Sequence, residues 1–186
     1  MYILLGVAII MTVIYITVEL TQKPLISLYV KALASLSFII LGTYRLLYDV
    51  NNIPEYIGWI LLGLASGMIG DIVLALRPLR PKEEDKLIIV FGIISFSIGH
   101  LFYLTALLMM STFSWISLIV GLIAFFIVVV MSYIMKFNMK IARIPSYVYA
   151  FLIFFMVGQS VMAGSQLNYQ TSSVLFLLGA ILFGVS

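Results

Sequence analysis

Asp71 is the residue in this chain whose type and position most demand a chemical explanation. It stands inside the apolar run GLASGMIGDIVLAL, residues 63–76. An ionisable side chain within a membrane helix costs about 3 kcal/mol on insertion scales, so it marks a functional site by default. Two kinds of role fit. Asp71 is a general acid or base, or it is a structural hydrogen-bond partner between helices or a proton-relay carboxylate. The single histidine, His100, lies in the next apolar run, LIIVFGIISFSIGHLFYL, residues 87–104. It could polarise a substrate, shuttle a proton or orient Asp71, or be a core histidine bonded to a carbonyl. Tyr103, one turn on, offers a hydroxyl donor or ordinary aromatic packing.

Further charged residues cluster near the start of the chain. Lys31 falls about two turns inside an apolar stretch. It either snorkels to the interface or pairs with a buried acid or a phosphate. Lys23 offers the same chemistry at the interface. Glu19 ends the first apolar run and is either an exposed end charge or the second carboxylate of a site that also holds Asp71. Gln159, in the sixth apolar run, reads as an interhelical hydrogen-bonding residue, beside Tyr149 and Met156 as core. No Gly-x-Ser-x-Gly elbow, phosphate loop or Ser–His–Asp arrangement is present. Hydrolysis would have to rest on carboxylates and the histidine.

The elements that position these residues follow from composition. Of 186 residues, 64% are hydrophobic and 9% charged, whereas a soluble domain is roughly half apolar and a quarter charged. The chain therefore reads as an all-α, polytopic transmembrane helix bundle forming one integral membrane domain over residues 1–186. Spans of ~20 apolar residues fall at about 2–19, 25–47, 55–76, 87–110, 114–135, 146–165 and 172–186, about seven in all. Pro24, Pro54, Pro78, Pro81 and Pro145 all sit at span edges, where proline is tolerated or ends a helix. Two patterns suggest buried faces: a small-residue stripe of Gly63 and Gly67 with Asp71 at intervals of four, and Gly92, Phe96 and His100 at the same spacing.

Lys23, Lys31, Arg77, Arg80, Lys82, Lys86, Lys136, Lys140 and Arg143 belong to alternate connections and their flanks, against Arg45 on the other side. By the positive-inside rule the N-terminus lies outside the cytoplasm and the loop RPLRPKEEDK inside it. Asp49, Asn51, Asn52 and Glu55 then form a polar outside loop. The net charge of +3 is topogenic and gives no reason to expect nucleic acid. Without cysteine, and with one histidine, neither a disulfide framework nor a multi-histidine metal site is expected.

Gly70-Asp71 after a Gly/Ser-rich run, followed by Gly92-x-x-x-Phe96-x-x-x-His100-x-x-Tyr103, resembles the signature of the YhhN family, the lysoplasmalogenases. Lys31-Ala32-Leu33 resembles the family's Lys-Pro-Leu element, with Lys23-Pro24-Leu25 as a competing alignment. The segment from Arg143 to Met156 resembles its sixth span. The run from Gly179 to Ser186 resembles the approach to a second motif that continues into an aspartate. With about eight spans in the family, the resemblance implies a sequence that stops short of that acid and of the last helix.

It also implies an integral, multi-pass protein of a bacterial cell membrane. Its reaction would be hydrolysis of the 1-alkenyl ether of a lysophospholipid, giving a fatty aldehyde and a glycerophospho-alcohol. Asp71 would then be catalytic, with His100 and Tyr103 as supporting or head-group contacts and Lys31 or Lys23 on the head group. No metal or organic cofactor is required. Two readings of other classes remain: a small proton-coupled transporter, in which Asp71 and His100 form a relay, and a non-catalytic subunit of a membrane assembly.

Overall fold

The computed structural model describes residues 2–21, 23–48, 54–135, 140–168 and 171–185. It contains seven α-helices: α1 (Tyr2–Leu20), α2 (Pro24–Tyr48), α3 (Tyr56–Ala75), α4 (Asp85–Met110), α5 (Trp115–Ile134), α6 (Arg143–Gln166) and α7 (Thr171–Val185). Short 3-10 turns, Arg77–Leu79 and Lys140–Ala142, precede α4 and α6. The protein is an all-α polytopic helix bundle, as composition requires. Each expected span coincides with a helix to within a few residues. Six of the helices are long and apolar enough to cross a bilayer. α7, with 15 described residues, rises only about 22 Å, less than the roughly 30 Å of hydrocarbon. Asp49, Asn51, Asn52, Lys136 and Ser186 lie outside the described residues, as do the side chains of Arg45 and Lys140.

Helix ends follow local rules. Pro24 opens α2, where its missing N–H leaves nothing unbonded. Ser114 caps α5, its Oγ accepting from the Ser117 N–H at 3.3 Å. After α6 the chain leaves the helix through Asn168 at φ 49°, a left-handed conformation that asparagine tolerates. Several hydroxyls inside the helices are satisfied locally. Thr12, Thr17, Thr43, Ser97 and Thr105 each donate to the carbonyl four residues back, because lipid offers no alternative partner.

The chain forms two compact units, Met1–Gly99 and His100–Ser186, with the boundary inside α4. In the first, α2 packs against both α1 and α3. The first half of α4 returns along α3, and the approach is close. A Cβ built on Gly99 would lie 3.1 Å from the Gly63 carbonyl oxygen, and one on Gly70 2.9 Å from the Phe96 ring. Ser95 Oγ donates to the Ser66 carbonyl at 2.7 Å across the same seam.

This refines the expected stripe of Gly63, Gly67 and Asp71. At 3.6 residues per turn, Gly70 lies about 20° from Gly63 around the helix, whereas Asp71 lies about 80° away. Gly63, Ser66 and Gly70 therefore form the face against α4, and Asp71 is turned toward α2.

In the second unit α6 is the best-buried helix and packs against α5 and α7. Leu104, Leu107, Leu152, Met156, Ala163 and Ala180 make its core. Small residues set the α5–α6 seam, where a Cβ on Gly158 would meet the Ser117 Cα at 3.0 Å. Gln159 is fully buried. Its amide accepts from the Ser114 N–H at 3.2 Å and donates to the Thr112 carbonyl at 2.8 Å and to Ser111 Oγ at 3.1 Å. It thus pins the turn between α4 and α5, the interhelical role expected of it.

Candidate functional site

The first unit assembles a polar cluster from three helices. Asp71, near the end of α3, is met from α2 on both carboxylate oxygens. Lys31 Nζ lies 3.3 Å from Oδ1, and Ser35 Oγ donates to Oδ2 at 3.0 Å. Lys31 also lies over the ring of Tyr15, on α1, 5.6 Å from its centroid, within cation–π range. The Lys31 and Asp71 side chains are 22% and 30% exposed, so the pair is only partly withdrawn from its surroundings. Of the two roles open to Lys31, pairing with an acid is the one realised.

Just beyond this pair, toward the 3-10 turn, lies a cavity of about 360 Å³. Glu19, Lys23, Ser27 and Lys31 give it a polar wall, and Leu74, Ala75 and Pro78 an apolar one. Glu19 accepts a hydrogen bond from Ser27 Oγ. The site therefore holds two ammonium groups and one carboxylate on the cavity wall, with a second carboxylate behind Lys31. A small anionic or zwitterionic group would find complementary charges there. Among the described residues no cluster of three or more histidine, cysteine or acidic side chains could hold a metal ion.

His100 and Tyr103 belong to the second unit. His100 is 1% exposed and is enclosed by rings. It stands edge-on to Tyr103 at 6.1 Å and to Tyr149 at 5.3 Å between centroids. Tyr103 in turn meets Phe176 edge-on at 6.1 Å. Of the face expected from Gly92, Phe96 and His100, Gly92 and His100 are buried and Phe96 is half-buried, and a Cβ on Gly92 would lie 2.6 Å from the Leu74 side chain of α3.

The structure thus brings Lys31 to Asp71, and Lys23 and Glu19 to the cavity that Lys31 lines. Sequence reasoning missed Ser27, Ser35 and Tyr15. Their signal was present: Ser27, Lys31 and Ser35 recur every four residues on α2, as do Tyr15 and Glu19 on α1. That is the spacing of one helical face. The loop between α3 and α4 is held by Arg77, whose Nε donates to Asp85 Oδ2 at 3.1 Å.

Fold and site together define a polytopic membrane protein with a half-buried lysine–carboxylate pair behind a polar cavity at one end of its helices. Residues 26–186 match the YhhN family, and the chain belongs to that family. The match includes Lys31, Ser35, Asp71, His100 and Tyr103 and begins after Glu19 and Lys23. Comparison with curated proteins and with solved structures returned no match.

Proposed function

We propose that this protein hydrolyses the vinyl-ether bond of lysoplasmalogens within the membrane, releasing a fatty aldehyde and a glycerophospho-alcohol. The observation that carries the reading is the gathering of Glu19, Lys23 and Lys31 around one cavity, with Asp71 paired to Lys31 behind it. Membership of the YhhN family supports it.

The chemistry sets the roles. A vinyl ether is protonated at the alkene carbon remote from oxygen, giving an oxocarbenium ion. Water adds to the cationic carbon and loses a proton. The resulting hemiacetal collapses to the aldehyde, with the glycerol oxygen leaving as the alcohol. The reaction needs a proton donor and a carboxylate that stabilises the cation and orients water. Both Asp71 oxygens face donors, Lys31 and Ser35, which suits the second task. Glu19, on the cavity wall, is assigned the proton transfers. Lys31 and Lys23 are assigned the substrate phosphate. His100 and Tyr103 enter the proposal through the family motif alone.

The distribution of lysine and arginine supports an orientation with the cavity end on the cytoplasmic side and the N-terminus outside; a bacterial cell membrane is part of the same proposal. Substrate would then present its head group from the cytoplasmic leaflet.

The test is aldehyde release from a 1-alkenyl lysophospholipid by protein purified in detergent. Asp71→Asn is expected to lower kcat at least ~100-fold, the usual scale for losing a positioned acid–base group. Wild-type turnover in Asp71→Asn sinks the mechanism. If wild type releases no aldehyde while driving proton flux in liposomes, the relay reading replaces the hydrolase.

A further inference from the structure

The cavity and the carboxylate behind it share one cation. Lys31 lines the cavity and pairs with Asp71, while Asp71 is not part of the lining. Seen from the cavity, Asp71 lies behind its Lys31 partner, with 30% of its own side chain exposed. The contact of 3.3 Å is longer than the roughly 2.7–2.9 Å of a strong charge-assisted hydrogen bond. Lysine carries three donors on a flexible stem, so its head group can exchange one anion for another without moving the backbone. Two further contacts make such an exchange feasible. Ser35 donates to the other Asp71 oxygen, so one hydrogen bond to the carboxylate does not involve Lys31. The Tyr15 ring gives the ammonium a second favourable neighbour. On the cavity wall Glu19 is engaged by Ser27, and Lys23 adds a second ammonium for an incoming anion.

We infer that the cavity is a phosphate-ester site whose occupant draws Lys31 away from Asp71 and so frees the carboxylate of its ion pair. An anion in the cavity and Asp71 compete for the same ammonium, so each weakens the hold of the other on it. Such coupling is reciprocal. A ligand that lacks the phosphate leaves Lys31 on Asp71 and the carboxylate paired. The site thereby ties release of a reactive group from its ion pair to recognition of the head group. The consequence for turnover rests on the hydrolase reading; the competition for Lys31 does not.

The experiment is a set of binding isotherms on the full chain in neutral-lipid nanodiscs. The probes are inorganic phosphate, glycerol 3-phosphate and a 1-acyl lysophosphatidylcholine, none of which has a vinyl ether. Asp71→Asn is expected to tighten binding about fivefold or more, the lower end of ordinary site-to-site coupling. Lys31→Met is expected to weaken it about tenfold or more, the scale of a lost hydrogen bond to a charged group. In the Lys31→Met background, adding Asp71→Asn should change nothing. That double variant is charge-neutral at the pair, so it keeps the comparison with Asp71→Asn usable if Lys31→Met alone folds poorly.

Binding of the small phosphates marks a soluble phosphoester site, and binding of the lysolipid alone marks a lipid head-group site; either supports the inference. It is overturned if no probe binds, or if Asp71→Asn leaves affinity unchanged or weaker. It is equally overturned if Asp71→Asn tightens binding just as much without Lys31, since general repulsion would then explain the effect. Aldehyde release is scored separately. Its absence with the binding pattern intact rejects the hydrolase reading and leaves the shared cation standing.

Discussion

Consider the energetic coupling between Lys31 and Asp71. At 3.3 Å two unit charges attract by about 5 kcal/mol at an effective dielectric of about 20. The pair does not retain that much. Its side chains are 22% and 30% exposed, and forming it costs desolvation of both groups and freedom of the lysine stem. Fully exposed pairs are worth about 0.2–1 kcal/mol, whereas removing one partner of a buried pair costs about 3–5 kcal/mol. A pair with this exposure falls between, and a coupling of about 1.5–2 kcal/mol is expected.

The assay is a double-mutant cycle of Lys31→Met, Asp71→Asn and the combination, followed by denaturant titration in mixed micelles. Each single change should destabilise, and the double should be more stable than additivity allows, because it leaves neither charge without its partner. A coupling below about 0.5 kcal/mol, the scatter expected of independent sites, would show that the two groups do not sense each other. The mechanism and the shared-cation inference would then both lose their basis.

Other expectations follow from the same geometry. Ser35→Ala removes one donor to Asp71 and should lower kcat about tenfold with KM little changed, the scale of one hydrogen bond to a charged group, as read in aldehyde release. Gln159→Leu leaves the Ser114 N–H and the Thr112 carbonyl without their side-chain partner; a loss of about 2–3 kcal/mol is expected in thermal or denaturant unfolding. Gly99→Ala sets a methyl against the Gly63 carbonyl, which cannot step aside, and should destabilise by about 1–3 kcal/mol. Gly67→Ala meets nothing within 4 Å and should be neutral, or stabilising by up to ~1 kcal/mol through helix propensity. Equal effects at the two glycines would contradict the α3–α4 packing.

Features that depend only on neighbours along the chain were legible before any packing was known. Helix extents came from apolar runs of bilayer length and from prolines at their edges, which is why every described span was found within a few residues. Asp71 and Lys31 stood out because a charge in such a run is expensive wherever the helix packs. Lys31 was even legible as the partner of a buried acid, although Ser27 and Ser35 on its own face were overlooked.

The tertiary structure alone decided which residues share a surface. Gly70 and Asp71 are adjacent in the chain but point about 100° apart around α3. The Phe96 ring needs the space over Gly70, so α4 claims that face and the carboxylate turns to α2. The same holds for Glu19 and Lys23, two charges at the ends of neighbouring helices until α1 and α2 pair and set them on one cavity wall. Periodicity fixes the angle between side chains on one helix. Only packing fixes which neighbour each angle faces.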